Sequence, residues 1–338
     1  MSDVMVNINN HVLFLATGGT IAGRTPAGKS GTYESGSVNI SGLLAASGVA
    51  CGQNDVDSED LAAVGSQDMS EDIWSRLHSR ITRALLHEKY QTIIVTHGTD
   101  TLEETAFLLD LTLPPVGTVV LTGAMRPADA PGADGPRVIL NALQIARAAM
   151  HQARGILTLS GDTLFSPRTV YKAYTSGTEG MRAWPGGACG TVTHGGIHFY
   201  TGPLRDTYSG FFPMPVPGRW PRVTVIFVTA CMDSPSVEAV LSTRPAGIVL
   251  AGVGHGNAPE WLLEMLTDYS RSGGIVIRST RLNEGAVTRN LEVDDDHRGF
   301  ISAGYLSPQR SRILLQLILQ NNSHELAEIQ QIFDDISL

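Results

Sequence analysis

The order of short apolar runs in the first half of the chain constrains the fold more than any other feature. Each run is followed by a stretch with helical periodicity, and the runs are Val12–Ala16, Thr92–Thr96, Thr118–Thr122 and Gly155–Leu159. Strands that alternate with helices are typical of parallel sheets, because each strand must return to the same edge through a crossover. The pattern therefore predicts an α/β domain built on a mostly parallel sheet with flanking helices.

The predicted helices have recognisable starts and apolar faces. Ser70 is a favourable N-cap, and the residues after it repeat an apolar side chain every four positions: Ile73, Leu77, Ile81 and Leu85. A second helix is predicted after Asp100. A third is predicted over residues 136–151, with its apolar face at Ile139, Leu143 and Ala146. We expect these faces to pack against the sheet.

A stretch rich in proline and glycine divides the chain. Residues 202–221 contain five prolines and three glycines, a composition typical of an extended connection. We predict a larger N-terminal domain over 1–204, a linker over 205–221 and a smaller C-terminal α/β domain over 222–338. The second domain shows runs at 223–228, 247–253 and 274–277, helices at 235–242 and from 259, and closing helices at 308–320 and 324–333.

Charge and cysteine content favour a small-molecule ligand. The 24 basic and 33 acidic residues give a formal net charge of −9 without a basic block, which argues against nucleic acid and anionic membranes. The three cysteines, Cys51, Cys189 and Cys231, are far apart, so neither a disulfide framework nor a cysteine metal site is expected. The start lacks a basic segment with a long apolar run. We expect a cytoplasmic protein; the alternative is the periplasm, with a leader removed.

Polar side chains are concentrated directly after the predicted strands. The segments 16–23, 65–68 and 96–101 combine glycines with hydroxyl, amide and carboxylate groups. Such loops can bind a phosphate, a carboxylate or a developing oxyanion. The sequence lacks the phosphate-loop pattern GxxxxGK[ST], the serine-hydrolase pattern GxSxG and the zinc-protease pattern HExxH. These absences leave threonine as the candidate nucleophile.

A threonine nucleophile needs a base or a cation nearby. The chain has only three lysines, Lys29, Lys89 and Lys172; the first two have structural explanations, and Lys172 follows a predicted strand in a partly apolar setting. Each candidate also has a structural interpretation by itself. Lys172 could be a surface lysine, Asp100 a helix N-cap and Thr17 a turn residue.

Taken together, the loops resemble the bacterial-type L-asparaginase family, closest to its type II subgroup. The resemblance covers residues 10–335 and rests on motifs in the family's order: ATGGTIAG at 16–23, GSQDM at 65–69, THGTDTLEETAFLLDLT at 96–112, TGAMRP at 122–127, ADGP at 133–136, AGVGHGN at 251–257 and EVDD at 292–295. It implies hydrolysis of L-asparagine to L-aspartate and ammonia through a covalent β-aspartyl intermediate, without a metal or cofactor.

The resemblance also implies roles for individual residues. Thr17 would be the nucleophile, and Tyr33 the lid tyrosine that hydrogen-bonds it. Thr99, Asp100 and Lys172 would form a second constellation in which the lysine favours a deprotonated threonine. Which threonine acts at which step stays open.

The substrate-binding residues implied by the resemblance come from two subunits. Ser66, Gln67 and Asp100 would hold the α-carboxylate and α-amino groups. Asn257 and Glu292 would reach the site of a neighbouring subunit in a homotetramer made of two intimate dimers. His255 stands where many relatives carry asparagine, which leaves the shape of that wall open.

Two other functions are compatible with the residues. One is a glutaminase-asparaginase that uses both amides comparably, since a single methylene separates the substrates. The other is a non-catalytic amino-acid binding protein with a polar pocket. Lys172 discriminates between catalysis and binding, because a binding protein has no use for a lysine beside a threonine.

Overall fold

The computed structural model describes residues 9–26, 32–49, 55–88, 90–149, 152–202, 212–320 and 325–337. The chain forms two compact units, Met1–Phe211 and Phe212–Leu338. This division falls inside the stretch predicted as a linker; residues 205–211 of that linker lie outside the described residues, as do Lys29, Lys89 and Cys51. The domain limits at 204 and 222 stay predictions.

The first unit contains ten strands, four α-helices and two short 3-10 helices, Thr20–Ala22 and Ser66–Asp68, among its described residues. The strands are β1 (Asn9–Gly18), β2 (Val56–Val64), β3 (Tyr90–Thr96), β4 (Thr118–Thr122), β5 (Gly155–Ser160), β6 (Thr163–Phe165), β7 (Val170–Lys172), β8 (Met181–Ala183), β9 (Gly190–Thr193) and β10 (Gly196–Phe199). The α-helices are α1 (Ile40–Ala46), α2 (Glu71–Leu86), α3 (Leu102–Thr112) and α4 (Gly135–Ala148).

Eight of these strands form one sheet in the order β10-β9-β6-β5-β4-β3-β1-β2. Strands β1 to β5 pair in parallel, and β6, β9 and β10 extend the sheet in antiparallel pairing. Strands β7 and β8 form a separate antiparallel pair. The predicted mostly parallel α/β sheet is confirmed, and the short strands after β5 were not predicted.

Alternate residues of the strands are buried on opposite faces of this sheet. In β1, Phe14 packs in a cluster with Ile139 of α4, whereas Leu15 packs in a second cluster with Leu77 of α2. All four side chains are nearly or fully buried. Because both faces are covered by helices, the strands read as continuous apolar runs rather than alternating ones.

Helix α2 begins where predicted and buries three of the four predicted apolar residues, Leu77, Ile81 and Leu85. The Ser70 hydroxyl accepts the N–H of Ile73 at 3.3 Å, as an N-cap does. Ile73 itself is only half-buried, and Trp74 is buried in the first turn instead. A strict spacing of four residues rotates the stripe by about 40° per step in a helix of 3.6 residues per turn. The predicted stripe therefore leaves the buried face at its N-terminal end.

The second unit repeats the same organisation on a smaller scale. Its elements are β11 (Val223–Phe227), α5 (Ser234–Ser242), β12 (Gly247–Gly252), α6 (Glu260–Arg271), β13 (Ile275–Thr280), α7 (Asp295–Arg298), β14 (Phe300–Ser302), α8 (Pro308–Ile318) and α9 (Leu326–Ile336). The four strands pair in parallel in the order β11-β12-β13-β14. This confirms the smaller C-terminal α/β unit. In the parts of the chain that the structure describes, no helix has the length and apolar character needed to span a bilayer.

Candidate active site

Three loops leave the first sheet at the carboxyl ends of its parallel strands. Strand pairing places Ala16 of β1 opposite Thr96 of β3, and Gly18 opposite Val64 of β2. The polar segments predicted from the sequence begin directly after these pairs. This edge is where open α/β sheets bind their ligands.

Glycines allow the three loops to touch. Gly19 has a φ of 82°, and a Cβ on it would lie 2.4 Å from the Cα of Gly98. A Cβ on Gly98 would in turn lie 2.7 Å from the Cβ and Oγ of Ser66. Neither position has space for a larger side chain without movement of its neighbour. Direct contact therefore runs from the loop of Thr17 through Gly98 to Ser66.

Thr17 is buried at the end of β1 with its hydroxyl oriented by the neighbouring strand. Its side chain is 1% exposed, and Oγ1 donates to the carbonyl oxygen of Thr96 at 3.1 Å. The hydroxyl proton is used in this bond, and the oxygen lone pairs stay free for another group. This geometry is compatible with Thr17 Oγ1 acting as a nucleophile through one of its lone pairs.

Ser66 connects the loop after β2 to the loop after β3. Its Oγ accepts the N–H of Asp100 at 3.2 Å, and its carbonyl oxygen accepts the Thr101 hydroxyl at 2.8 Å. Ser66 is buried, whereas the neighbouring Gln67 is exposed and donates to Asp68 at 3.1 Å. Gln67 therefore presents its amide at the surface of the loop cluster.

Lys172, at the end of β7, joins the two polar side chains after β3. Its Nζ donates to Thr99 Oγ1 at 2.8 Å and to Asp100 Oδ1 at 2.5 Å. Thr99 is 5% exposed, and the side chains of Lys172 and Asp100 are 19% and 61% exposed. An ammonium group that donates to a hydroxyl oxygen stabilises negative charge that develops there. The open carboxylate of Asp100 is accessible to a second cation.

Tyr33 contacts the loop of the predicted nucleophile through a different threonine. Its hydroxyl lies 2.8 Å from Oγ1 of Thr20, and its ring covers Gly23. The resemblance had implied a hydrogen bond from Tyr33 to Thr17, whose hydroxyl is bound to Thr96 instead. The difference arises because Thr17 is buried at a strand end, while Thr20 follows the glycine turn.

His97 is a structural part of the loop after β3. Burial lowers the pKa of His97 to about 4, so the ring is neutral at neutral pH. Its Nδ1 lies 2.7 Å from the carbonyl oxygen of Gly98, and its Nε2 lies 3.0 Å from the hydroxyl of Thr105. Thr105 Oγ1 in turn accepts the indole N–H of Trp74 at 2.8 Å. These partners assign the proton to Nδ1, with Nε2 accepting from Thr105.

Two residues that touch the predicted site were not predicted from the sequence. Thr20 binds Tyr33, and Glu103 accepts the backbone N–H of Lys172 at 2.8 Å. Both lie within motifs that carry the resemblance. The sequence carries no distinct signal for Glu103, because Glu104 beside it is also a carboxylate in the first turn of the helix, where acidic residues are common.

The second unit brings together its two predicted site residues. Asn257 Nδ2 donates to Glu292 Oε2 at 2.9 Å. Asn257 follows β12, and its backbone forms a bridge with Val253 that closes the glycine-rich turn between them. Glu292 is exposed. The predicted partners therefore form a polar pair at the surface of this unit.

A buried arginine holds the two loops that carry this pair. Arg278 and Asp295 are both 0% exposed and share a two-pronged ion pair with both N···O distances at 2.6 Å. Arg278 also donates to the carbonyl oxygens of His255 at 2.8 Å and Thr288 at 3.0 Å. His255 Nε2 accepts the N–H of Thr288 at 3.2 Å, so this histidine is engaged within the unit.

The structure thus places the predicted residues in two groups. Those brought together at one edge of the first sheet are Thr17, Ser66, Gln67, Thr99, Asp100 and Lys172, with Tyr33 reaching the same loop through Thr20. The second group is the Asn257–Glu292 pair. Among the described residues, no group of three or more His, Cys, Asp or Glu side chains could hold a metal ion.

Comparison with known sequence families matches both units. Residues 11–205 match the family described as Asparaginase, N-terminal, and residues 222–333 match the Glutaminase/Asparaginase C-terminal domain. The two matches together cover most of the chain.

Individual relatives match over almost their full lengths. L-asparaginase 2 of Escherichia coli is 35% identical over 96% of this chain and 92% of its own length. The probable periplasmic L-asparaginase of Haemophilus influenzae is 33% identical over 96% and 93%. The crystal structure of a probable cytoplasmic L-asparaginase from Campylobacter jejuni has a TM-score of 0.87 at 30% identity, covering 96% of this chain and 99% of that one. This chain therefore belongs to the asparaginase family of amidohydrolases.

Proposed function

We propose that this enzyme hydrolyses the side-chain amide of L-asparagine to give L-aspartate and ammonia. One observation carries the proposal: the Lys172 ammonium lies within hydrogen-bond distance of both Thr99 and Asp100, at the sheet edge that also holds Thr17. A scarce lysine is placed where it stabilises charge on a hydroxyl oxygen. The family match supports the substrate class.

Three residues would hold the amino-acid end of the substrate. The exposed carboxylate of Asp100 would bind the α-ammonium group, because opposite charges within a few ångströms form strong hydrogen bonds. The Ser66 hydroxyl and the Gln67 amide would bind the α-carboxylate and α-amino groups. These contacts would place the side-chain amide over the loop of Thr17.

In the proposed reaction, Thr17 Oγ1 attacks the amide carbon and forms an ester, the β-aspartyl enzyme. Backbone N–H groups of the glycine-rich turn and near Thr99 would stabilise the oxyanion of the tetrahedral intermediate. The carbon–nitrogen bond then breaks, and the hydroxyl proton leaves with the amine as ammonia. Water cleaves the ester to release aspartate and restore the hydroxyl. Lys172 and Thr99 would assist the proton transfers of the attacking hydroxyl or water.

Ammonia release from L-asparagine tests this assignment. We expect Thr17→Ala to abolish turnover and Lys172→Met to reduce it to a small residual rate, while Thr17→Ser keeps part of it because a hydroxyl remains. If Thr17→Ala turned over L-asparagine at the wild-type rate, Thr17 would not be the nucleophile.

Substrate affinity separates catalysis from simple binding. In calorimetric titrations we expect Lys172→Met to bind L-asparagine with nearly wild-type affinity while it releases ammonia only at a small residual rate. A non-catalytic binding protein would bind the amino acid in both forms and release ammonia in neither. Wild-type protein that binds without turnover would therefore support the binding alternative.

The second candidate is a glutaminase-asparaginase, which the description of the matching C-terminal family supports. The two substrates differ by one methylene, worth about 1–3 kcal/mol in a fitted pocket. Measured kcat/KM values for L-asparagine and L-glutamine decide between them. We expect a higher value for asparagine, with some glutaminase activity.

The proposed assembly is a homotetramer in which Asn257 and Glu292 complete the site of a neighbouring subunit. The proposed location is the cytoplasm, with the periplasm as the alternative; relatives described with each location match this chain. Cell fractionation with an antibody against the protein distinguishes the two.

A further inference from the structure

Helix α3 carries two buried carboxylates on one face. Glu103 and Asp110 are each 4% exposed, and they are seven positions apart, which is about two helical turns. Most of the other residues of this helix are apolar and fully buried. A buried carboxylate is costly without hydrogen-bond donors. The groups that donate to Glu103 and Asp110 therefore identify the segment that is bound to this face of α3.

Both carboxylates bind the same short segment, the one that ends in Lys172. Asp110 Oδ2 accepts the Nε of Arg168 at 2.8 Å, and Glu103 Oε2 accepts the backbone N–H of Lys172 at 2.8 Å. Between these two contacts, Val170 is fully buried in the apolar cluster that includes Leu102. The segment is therefore attached to α3 at both ends and packed in the middle.

The same helix follows the polar loop that Lys172 reaches. α3 begins at Leu102, directly after the loop that carries Thr99 and Asp100, and the Lys172 ammonium donates to both of those side chains. Glu103 thus binds the backbone of Lys172, while the Lys172 ammonium binds Thr99 and Asp100, which precede Glu103 by four and three residues. A shift of this backbone would move the ammonium relative to Thr99.

We infer that Glu103 is a positioning residue for Lys172, and that the Asp110–Arg168 ion pair is the second anchor of the same segment. The inference rests on the proposed role of Lys172 in turnover. Glu103 acts by fixing the lysine backbone so that the ammonium stays on Thr99 Oγ1; it touches no reacting atom. The alternative is a carboxylate that stabilises the fold without controlling the lysine.

Steady-state kinetics of two Glu103 variants test the inference. Glu103→Gln keeps an oxygen that accepts the Lys172 N–H, so its kcat should stay within about threefold of the wild type. Glu103→Ala removes the acceptor and should lower kcat by about 10- to 100-fold, as small displacements of a reacting group do. Because the lysine acts in turnover, kcat should fall more than KM rises.

Combining the variants shows whether Glu103 acts through the lysine. In a Lys172→Met background, Glu103→Ala should cause no further loss of the residual rate, since the group that it positions is gone. Independent, multiplicative losses would overturn the inference. Full turnover by Lys172→Met would instead contradict the proposed function.

Lysine labelling reports the position of Lys172 without any activity measurement. The chain has only three lysines, so the modification of Lys172 by an acylating reagent can be followed by peptide mass spectrometry. Glu103→Ala should label faster than the wild type, because the ammonium leaves Thr99 and Asp100, and Glu103→Gln should restore the slow rate. Unchanged labelling and unchanged kcat in folded Glu103→Ala would overturn the inference.

Two further variants keep the test decisive. Thr112→Val removes a hydroxyl bond to the Leu108 carbonyl on the same helix, so it should leave kcat and labelling unchanged. Glu103→Asp retains the charge but shortens the side chain by one methylene. If Glu103→Ala does not fold, Glu103→Asp should show faster labelling and a lower kcat, and wild-type values for both would reject the inference.

Discussion

The residues that shape the candidate site most strictly include some with no side chain. Gly19 combines a φ of 82° with backbone contact to Gly98, so both its conformation and its lack of a Cβ are required. A Cβ on Gly98 would lie 2.7 Å from the Cβ and Oγ of Ser66. At Gly19 the close neighbour is backbone, which cannot rotate away as a flexible side chain can, so the placement of one loop constrains the next.

Replacing Gly19 by alanine should therefore disturb both stability and activity. We expect Gly19→Ala to lose about 2–4 kcal/mol of unfolding free energy, from the left-handed backbone and the overlap with Gly98. Urea denaturation measures the loss, and asparagine turnover should fall at least about tenfold because the loop of Thr17 moves.

Gly48 is the matched control for this substitution. It also has a positive φ, 75°, but a Cβ there would meet nothing within 4 Å. Gly48→Ala should therefore cost only about 1 kcal/mol and leave turnover unchanged. Equal effects of the two substitutions would show that contact with Gly98 is unimportant.

A buried histidine should give the protein a measurable pH dependence. The pKa of His97 falls from 6.5 to about 4 on folding because the charged ring is desolvated. Between these pH values the unfolded chain binds the proton and the folded chain does not, so stability rises with pH. The contribution of His97 should be about 3 kcal/mol, present above pH 6.5 and lost as the pH falls to 4.

Unfolding free energies at pH 7 and pH 4.5 for the wild type and His97→Gln check this effect. In His97→Gln, the difference in unfolding free energy between pH 7 and pH 4.5 should be smaller than in the wild type. His87→Gln, which replaces an exposed histidine at the end of α2, should keep the wild-type difference. The same pH difference in wild type and His97→Gln would contradict the assignment.

At the scale of elements, one buried ion pair connects three segments of the second unit. Arg278 of β13 binds Asp295 at the start of α7 and the carbonyl oxygens of His255 and Thr288. Asp295 also accepts the N–H of Asn290 at 2.9 Å. The loops that carry Asn257 and Glu292 are therefore both attached to β13 through the Arg278 side chain.

Removal of one charge from this pair should be more damaging than removal of both. Arg278→Met leaves Asp295 buried without its cation and should cost about 3–5 kcal/mol of unfolding free energy. The double variant Arg278→Met/Asp295→Leu should lose less than the single variant, because no unpaired charge remains. Denaturant unfolding of both variants measures this, and a double variant less stable than Arg278→Met would contradict the explanation.

At the scale of the whole molecule, the proposed shared site predicts complementation between inactive subunits. Thr17→Ala and Glu292→Ala should each be inactive alone, since each would lack one part of every site. After random exchange of subunits, about a quarter of the sites combine an intact Thr17 with an intact Glu292. We therefore expect mixed protein to regain about a quarter of wild-type turnover.

The exchange itself must be verified, for example by native mass spectrometry of isotopically labelled subunits. Recovered turnover that increases with the fraction of mixed oligomers supports a shared site. Verified mixed oligomers without turnover would contradict a shared site, because Thr17 and Glu292 would then not act together across a subunit boundary.

The success of sequence-based prediction differed between elements for a physical reason. Strands β1, β3, β4 and β5 were predictable because burial on both faces makes each a continuous apolar run. The short strands after β5 were missed, since three or four residues carry too little pattern to distinguish a strand from a loop. In α2 the cap at Ser70 and the burial of Leu77, Ile81 and Leu85 were correct, whereas Ile73 was not, because Trp74 rather than Ile73 is buried in the first turn.

Sequence alone determined the two α/β units, the family and the polar loops after the strands, because these depend on local periodicity and on motifs within short segments. Only the tertiary structure decided which groups meet: Tyr33 with Thr20, His97 with Thr105, and Glu103 with the backbone of Lys172. Those contacts join residues far apart in the chain or depend on which way a side chain is turned. They are set by the packing of whole elements, which no local pattern encodes.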